Sequence, residues 1–173
     1  AEDDPRTGIL GPVVVTGVGS HQQVVARAVA AMPNLGATFI TSAGHGTMGF
    51  GLPAAIGAAL TLRDPIWWPN RHPIVLFNGD GSAVMDMPSL VSAVEFGLTN
   101  LRVVILDNES YGIVQQFEEL QGFSTKCTAD RLNPNFADLA SACGWPTAIE
   151  YLDGDLGMAA RKLIASAGPA LLH

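Results

Sequence analysis

Ile74-Val75-Leu76-Phe77, followed one residue later by Gly79-Asp80-Gly81-Ser82, is the stretch whose reading decides the fold. Four apolar residues in a row, closed by glycines, read as a strand buried on both faces. A tight Asp-Gly turn would demand an antiparallel partner strand, but the segment after Met87 has a helical pattern, so Asp80 ends a strand that feeds a helix. A second apolar run, Val103-Val104-Ile105-Leu106, closes on Asp107-Asn108. The 25 residues from Ser82 to Leu106 suffice for one helix, its turns and the next strand. Asp80 and Asn108 then sit at the same end of neighbouring parallel strands, where open α/β sheets bind ligands. A carboxylate and a carboxamide converging there, with glycines permitting close approach, suit a hard cation carrying a phosphate ester.

The same alternation extends in both directions. Residues 13–16 read as a short buried strand, 22–32 as a helix ended by Pro33, and 38–41 as a second β-branched run. An Ala-rich helix follows over 51–62, with small residues at one-turn spacing suited to close packing. After the strand at 74–77 come a helix over 88–96 with Gly97 as its C-cap, the strand at 103–106 and a helix over 111–120. Residues 135–143 read as a helix capped by Asn133 or Asn135, with Pro134 in its first turn. A strand over 145–149, a helix over 156–167 and a last short strand over 170–172 complete the chain. Apolar strands separated by helices predict a three-layer α/β/α fold with a mostly parallel central sheet.

Three glycine-bearing loops follow the first three strands: Gly17-Val18-Gly19-Ser20-His21, Gly44-His45-Gly46-Thr47-Met48-Gly49 and Gly79-Asp80-Gly81-Ser82. Along one rim of a parallel sheet, each offers backbone N–H groups to an anion, aided by the helix behind it. The second loop also matches G-x-G-x-x-G, with Asp64 twenty positions after Gly44, which raises dinucleotide (NAD) binding as an alternative. Against it, Asp64 falls in the turn Arg63-Asp64-Pro65 rather than at the end of the next strand. His45 reads equally as a rim ligand or a structural histidine. Asp153-Gly154-Asp155 lacks the later ligands of a calcium loop and reads as a turn with a helix cap. Trp67-Trp68-Pro69 reads as local packing or a subunit contact, and Cys127 and Cys143 as reduced thiols without metal or redox spacing.

Bulk properties exclude several classes. Hydrophobic residues make up 48% and charged residues only 14%, which fits a buried parallel sheet and an extensive subunit interface. The formal charge of −7 with no cluster of Lys or Arg excludes a nucleic-acid surface. The longest uncharged stretch, 39–62, is broken by Gly44-His45-Gly46 and Pro53 and is not read as a membrane span. With no visible targeting signal, a cytoplasmic location is expected. Residues 1–11 read as a polar lead-in and 12–173 as one domain.

GDGSAVMDMPSLVSAVEFGL (79–98), VVILDNESYGIV (103–114) and SAGHGTMGFGLPAAIGAAL (42–60) together resemble the diphosphate-binding (PP) module of thiamine-diphosphate enzymes. Within that family the chain is most similar to the acetohydroxyacid (acetolactate) synthase group. The resemblance implies thiamine diphosphate and Mg²⁺ as cofactors. It assigns the metal to the Asp80 carboxylate, the Asn108 side-chain oxygen and the Ser110 carbonyl. It gives the diphosphate to the N–H groups of Gly81 and Ser82, with Gly19, Ser20 and His21 nearby, and Ser20 stands where the family has Gln. Met48 matches the residue that wedges beneath the cofactor, Gly46 offers its carbonyl to the aminopyrimidine, and Gly112, Ile113 and Val114 line the thiazolium. Asp107 replaces an Asn of the family, and Phe117 a Trp typical of the synthases.

The resemblance further implies that the activating glutamate belongs to a separate pyrimidine-binding (PYR) module, so no catalytic residue is expected in this chain. The expected function is the cofactor-binding half of a 2-oxo acid decarboxylase or carboligase. It would act on a small 2-oxo acid with a PYR module from another chain or domain, as a dimer or heterotetramer. A split decarboxylase of sulfo- or phosphonopyruvate is the alternative enzyme, and a non-catalytic PP-like assembly domain the alternative of another class.

Overall fold

The valine- and isoleucine-rich runs form the strands of a parallel sheet in the computed structural model, which describes residues 11–62 and 73–173. In chain order the elements are β1 (Val13–Thr16), α1 (Ser20–Ala30), β2 (Thr38–Thr41), α2 (Gly51–Thr61), β3 (Ile74–Gly79), α3 (Asp80–Asp86), α4 (Leu90–Glu95) and β4 (Leu101–Leu106). They continue with α5 (Gly112–Gln121), α6 (Phe136–Ala142), β5 (Thr147–Ile149), α7 (Leu156–Ala165) and β6 (Ala170–Leu172). The strands lie in the order β2-β1-β3-β4-β6-β5. Every pairing is parallel, with Gly79 beside Leu106 at the end of β3 and β4. From β1 the chain moves one way to β2 and the other way to β3, so a topological switch point lies at their carboxyl ends.

Side chains alternate across the sheet. Val13, Val15, Ile74, Leu76, Val103 and Ile105 face a large core with Leu52, Ala55 and Ile56 of α2 and Phe136 and Ala140 of α6. Val104, Ala170 and Leu172 face the other side, against Ala159 and Leu163 of α7. Helices on both faces make the three-layer fold that the sequence predicts. On α2 the buried positions Leu52, Ala55, Ile56 and Ala59 follow the helical spacing, and two of these four are alanines, which brings the helix close to β1 and β3. Among the described residues no helix is long and apolar enough to cross a membrane.

Several predicted boundaries change for local reasons. The sequence predicts one helix over 88–96, but a helix already begins at Asp80, because Gly79 stays extended (φ −86, ψ 155) and Asp80 enters helical geometry directly. Pro88 then interrupts it, in a 3₁₀ turn at Met87–Ser89, before α4 resumes. Pro134 precedes the cap rather than lying in the first turn: Asn135 is the N-cap and accepts from the N–H groups of Ala137 and Asp138. The strand predicted from 145 starts at Thr147, since Trp145 turns inward and donates its Nε1 to the Leu90 carbonyl at 2.9 Å. Gly11, assigned to the lead-in by sequence, is buried where a Cβ would meet the Leu35 carbonyl at 2.1 Å, so it packs with the domain. Residues 1–10, Asp64 and Trp67-Trp68-Pro69 lie outside the described residues.

One buried charge fastens the far half of the sheet. Arg102 of β4 donates Nη1 to the carbonyls of Thr99, Leu101 and Gly168, and Nη2 to those of Ile164 and Ser166. The guanidinium thus satisfies carbonyls at the end of α7 and in the loop that enters β6, where the helix has no further partners. Replacing it with Met should leave those buried carbonyls unpaired and lower unfolding free energy by about 2–4 kcal/mol, read from urea denaturation. Arg102→Lys should recover only part of the loss, because a single ammonium cannot span both sets of carbonyls. Unchanged stability in the Met variant would show that these bonds are replaced by water at no loss.

Candidate functional site

The carboxyl ends of β1, β3 and β4 open onto one cleft of about 1230 Å³. That is more than the roughly 300–1,000 Å³ of most small-molecule pockets. Gly19, Ser20 and His21 reach it from the loop after β1 and the first turn of α1, and Gly46 and Met48 from the loop after β2. Asp80, Gly81 and Ser82 reach it from the first turn of α3. Asn108, Ser110, Gly112, Ile113 and Val114 reach it from the loop after β4 and the start of α5. Every cofactor and metal position predicted from sequence therefore lines the same cleft. His45 is exposed and lies outside it, as does Phe117, which is 57% exposed on α5.

Three helices begin at this rim, and their first N–H groups have no partners within the helix. Their positive dipole ends favour an anion there. Gly81 shapes the floor: a Cβ would come within 2.6 Å of the Tyr111 ring and 2.8 Å of Met48 Cε. Gly112 sits where a Cβ would meet Ser20 Oγ at 3.1 Å and Asn108 Nδ2 at 3.2 Å, so the loops after β1 and β4 converge. Ser82 Oγ and His21 Nε2 are buried without a hydrogen-bond partner. Burial pushes the His21 imidazole below its ordinary pKa, opposed first by a hydrogen bond to the Gly17 backbone and then by the Asp80 carboxylate. Orphaned polar atoms beside a glycine cradle and free helix N-termini fit a phosphate-bearing ligand.

Asp80 is 3% exposed at the start of α3. Asn108 donates Nδ2 to Ser110 Oγ at 2.9 Å, which leaves its side-chain oxygen for a cation. Asp107 is spent on structure: it accepts from the Glu109 N–H at 2.9 Å and from Asn133, and its Oδ2 lies 3.2 Å from His173 Nε2. Next in this loop, Glu109 adopts a left-handed φ of 52, an unusual geometry for a side-chain-bearing residue, held by the Arg131 backbone N–H on its carbonyl at 2.8 Å. Among the described residues, no group of three His, Cys, Asp or Glu side chains could hold a metal. A cation here would therefore need oxygens from its ligand.

Sequence reasoning missed the residues that brace the site. Asp86, at the end of α3, accepts through Oδ2 from the Leu52 N–H at 3.0 Å and from Asn78 Nδ2 at 3.0 Å. It locks the helix that carries Asp80 to the start of α2, whose preceding loop carries Gly46 and Met48. Asn133, Arg131 and His173 approach from segments distant in sequence, so no local pattern marks them. Cys127 and Cys143 are not bonded to each other, and Asp155 caps α7 by accepting from the Met158 N–H.

A parallel α/β sheet with an anion- and cation-suited cleft at its switch point defines a coenzyme-binding domain. The profile of the thiamine pyrophosphate enzyme, C-terminal TPP binding domain family matches residues 17–173, and the chain belongs to that family. It is 34% identical over 164 residues to the acetolactate synthase isozyme 1 large subunit of Escherichia coli (strain K12), covering 93% of this chain and 27% of that protein. It is 36% identical over 162 residues to the mitochondrial acetolactate synthase catalytic subunit of Saccharomyces cerevisiae (strain ATCC 204508 / S288c), covering 93% of this chain and 22% of that one. The chain thus spans about a quarter of the length of these curated relatives. Among solved structures, the thiamine diphosphate-dependent 4-hydroxybenzoylformate decarboxylase of Rhodococcus jostii RHA1 superposes with a TM-score of 0.70. That match has 23% identity over 96% of this chain and 30% of that chain, a likeness of fold.

The buried Asp86 makes stability depend on pH. Burial raises its pKa from 3.8 to about 6, against the opposing effect of the Leu52 and Asn78 hydrogen bonds. The folded state therefore binds this proton more tightly than the unfolded chain, and the stability it contributes is lost as pH rises through about 6. Relative to Asp86→Asn, the natural protein should gain about 1 kcal/mol of unfolding free energy on going from pH 7 to pH 5. Urea midpoints at the two pH values measure this. Parallel pH profiles for the two proteins would place the titration elsewhere.

Proposed function

We propose that residues 12–173 form the thiamine diphosphate and Mg²⁺ site of an acetolactate synthase-like 2-oxo acid decarboxylase or carboligase, completed by a PYR module. The carrying observation is that Asp80 and Asn108 follow the ends of paired strands β3 and β4 and face one cleft with Gly81 and Ser82. In this reading the Asp80 carboxylate, the Asn108 side-chain oxygen and the Ser110 carbonyl hold Mg²⁺. Few protein ligands are needed, since Mg²⁺ is commonly bound by one or two carboxylates together with phosphate oxygens. The Gly81 and Ser82 N–H groups, with Gly19, Ser20 and His21, hold the diphosphate. Met48 and Gly46 position the pyrimidine, and Gly112, Ile113 and Val114 line the thiazolium.

When bound, thiamine diphosphate supplies the carbanion chemistry at its thiazolium carbon. This chain supplies orientation, a fixed dipolar environment and exclusion of water along the buried floor. Leu106, Ile113 and Val114 border the cleft with 43%, 41% and 49% of their surface exposed, an apolar rim suited to a second module. The activating carboxylate belongs to that module in this reading, and substrate enters between the two.

Calorimetry with Mg²⁺ and thiamine diphosphate on the assembled protein should show metal-dependent binding, and Asp80→Ala should weaken it by more than about 100-fold, beyond the loss typical of outer-sphere partners. Near-normal affinity in the Ala variant would move the metal elsewhere. The chain by itself should not decarboxylate 2-oxo acids, and turnover without a partner would overturn the need for a PYR module.

A further inference from the structure

Asp80 and Asp107 follow the paired residues Gly79 and Leu106 on adjacent parallel strands, so two carboxylates stand side by side at the rim. Asn133 bridges them. Its Nδ2 donates to Asp80 Oδ2 at 2.8 Å and to Asp107 Oδ1 at 2.8 Å, one N–H for each carboxylate. The carboxylates fix the amide's orientation, because a flip would set Asn133 Oδ1 against both of them. Two nitrogen-bearing side chains flank the bridge: Arg131 Nη1 lies 3.7 Å from Asp80 Oδ2, and His173 Nε2 lies 3.2 Å from Asp107 Oδ2.

The segment that presents Asn133 is fastened on both sides. The Arg131 guanidinium lies 4.0 Å over the Tyr111 ring, and the Arg131 backbone N–H donates to the Glu109 carbonyl at 2.8 Å. The Tyr111 N–H reaches the Thr128 carbonyl at 2.8 Å. On the other side, Asn135 caps α6 and Phe136 is 1% exposed in the core. The bridging amide is therefore held by packed elements, not by a free loop.

We propose that Asn133 is a positioning residue for the metal site. It fixes the Asp80 carboxylate toward the cleft and lets the second carboxylate, Asp107, stand beside it. The inference rests on the reading of Asp80 as a Mg²⁺ ligand. A residue that only filled space would act alike whether position 107 carried a charge or not. One that separates two carboxylates matters most when both are charged.

The test is calorimetric titration of Mg²⁺ and thiamine diphosphate into the assembled wild-type protein, Asn133→Ala, Asp107→Asn and the double variant. Asn133→Ala should weaken binding ~10–100-fold, the usual range for a partner of a metal ligand. Asp107→Asn should bind nearly as the wild type does, and in its background the Asn133→Ala loss should shrink by about threefold or more, showing coupling between the sites. Equal losses in both backgrounds, or no loss, would overturn the proposal. Should Asn133→Ala not fold, Asn133→Ser, which can donate to one carboxylate, should bind with a loss that again depends on Asp107. Failure of both variants to fold in either background would assign Asn133 to the core and overturn its role. A wild-type protein that binds no cofactor would overturn the proposed function itself, whereas normal binding by the wild type and Asn133→Ala would remove only this role.

Discussion

The parallel register of β3 and β4, with Gly79 beside Leu106, is the constraint on which the site depends. It places the residues that follow, Asp80 on one strand and Asp107-Asn108 on the other, about one inter-strand spacing apart, roughly 4.8 Å. A slip of one residue would turn the side chains of β4 to the opposite face and exchange Val103 and Ile105 in the large core for Val104. Burial of both faces forbids that slip, so the hydrophobic core itself fixes the spacing of the polar groups at its edge. Arg102 contributes from the same strand, tying β4 to the carbonyls at the end of α7 and before β6. The side of the sheet that carries His173 is thereby held in place beside Asp107.

The site also has an electrostatic logic that the overall composition conceals. The chain carries a net charge of −7, yet its cleft suits an anionic ligand. Helices α1, α3 and α5 begin at the rim, and the N–H groups of their first turns and their dipoles favour negative charge there. Such a potential is compact and fixed, and it leaves room for a cation to be shared between the ligand and Asp80. The second carboxylate, Asp107, adds a like charge at close range. Its hydrogen bonds to Glu109, Asn133 and His173 absorb that charge locally.

What the sequence revealed, and what it hid, follows from the range of each interaction. Strands and their closing residues are local patterns, so Asp80, Asn108 and the glycine loops were legible, and family membership now rests on nearly the whole chain. Helix α3 was not, because two glycines beside Asp80 resemble a loop, and only the extended Gly79 shows that the helix starts at once. Asn133 and Arg131 escaped for another reason. Their partner Asp80 lies some fifty residues earlier, and nothing in the run Arg131-Leu132-Asn133-Pro134 marks it as a neighbour. The Asn78–Asp86 pair was equally hidden, since a buried carboxylate on a short helix reads as surface charge until the packing of α2 against α3 is known.

Helix α5 separates what this chain decides from what it leaves to its surroundings. Its first turn, Gly112 with Ile113 and Val114, borders the cleft. Farther along, Phe117 and Leu120 continue the face begun by Ile113 at helical spacing, and they are 57% and 82% exposed. By the resemblance to the synthases, Phe117 stands where a Trp is typical, and it does not line the cleft. On the proposed function, Phe117 does not touch an acceptor held in this chain's cleft. On the proposed function it acts only where the exposed face of α5 meets another surface. Asp80 in the cleft is 3% exposed, whereas Ile113 and Val114 on α5 are 41% and 49% exposed. On the proposed function, cofactor affinity is accordingly set by these residues, and substrate choice by whatever surface meets the exposed face of α5.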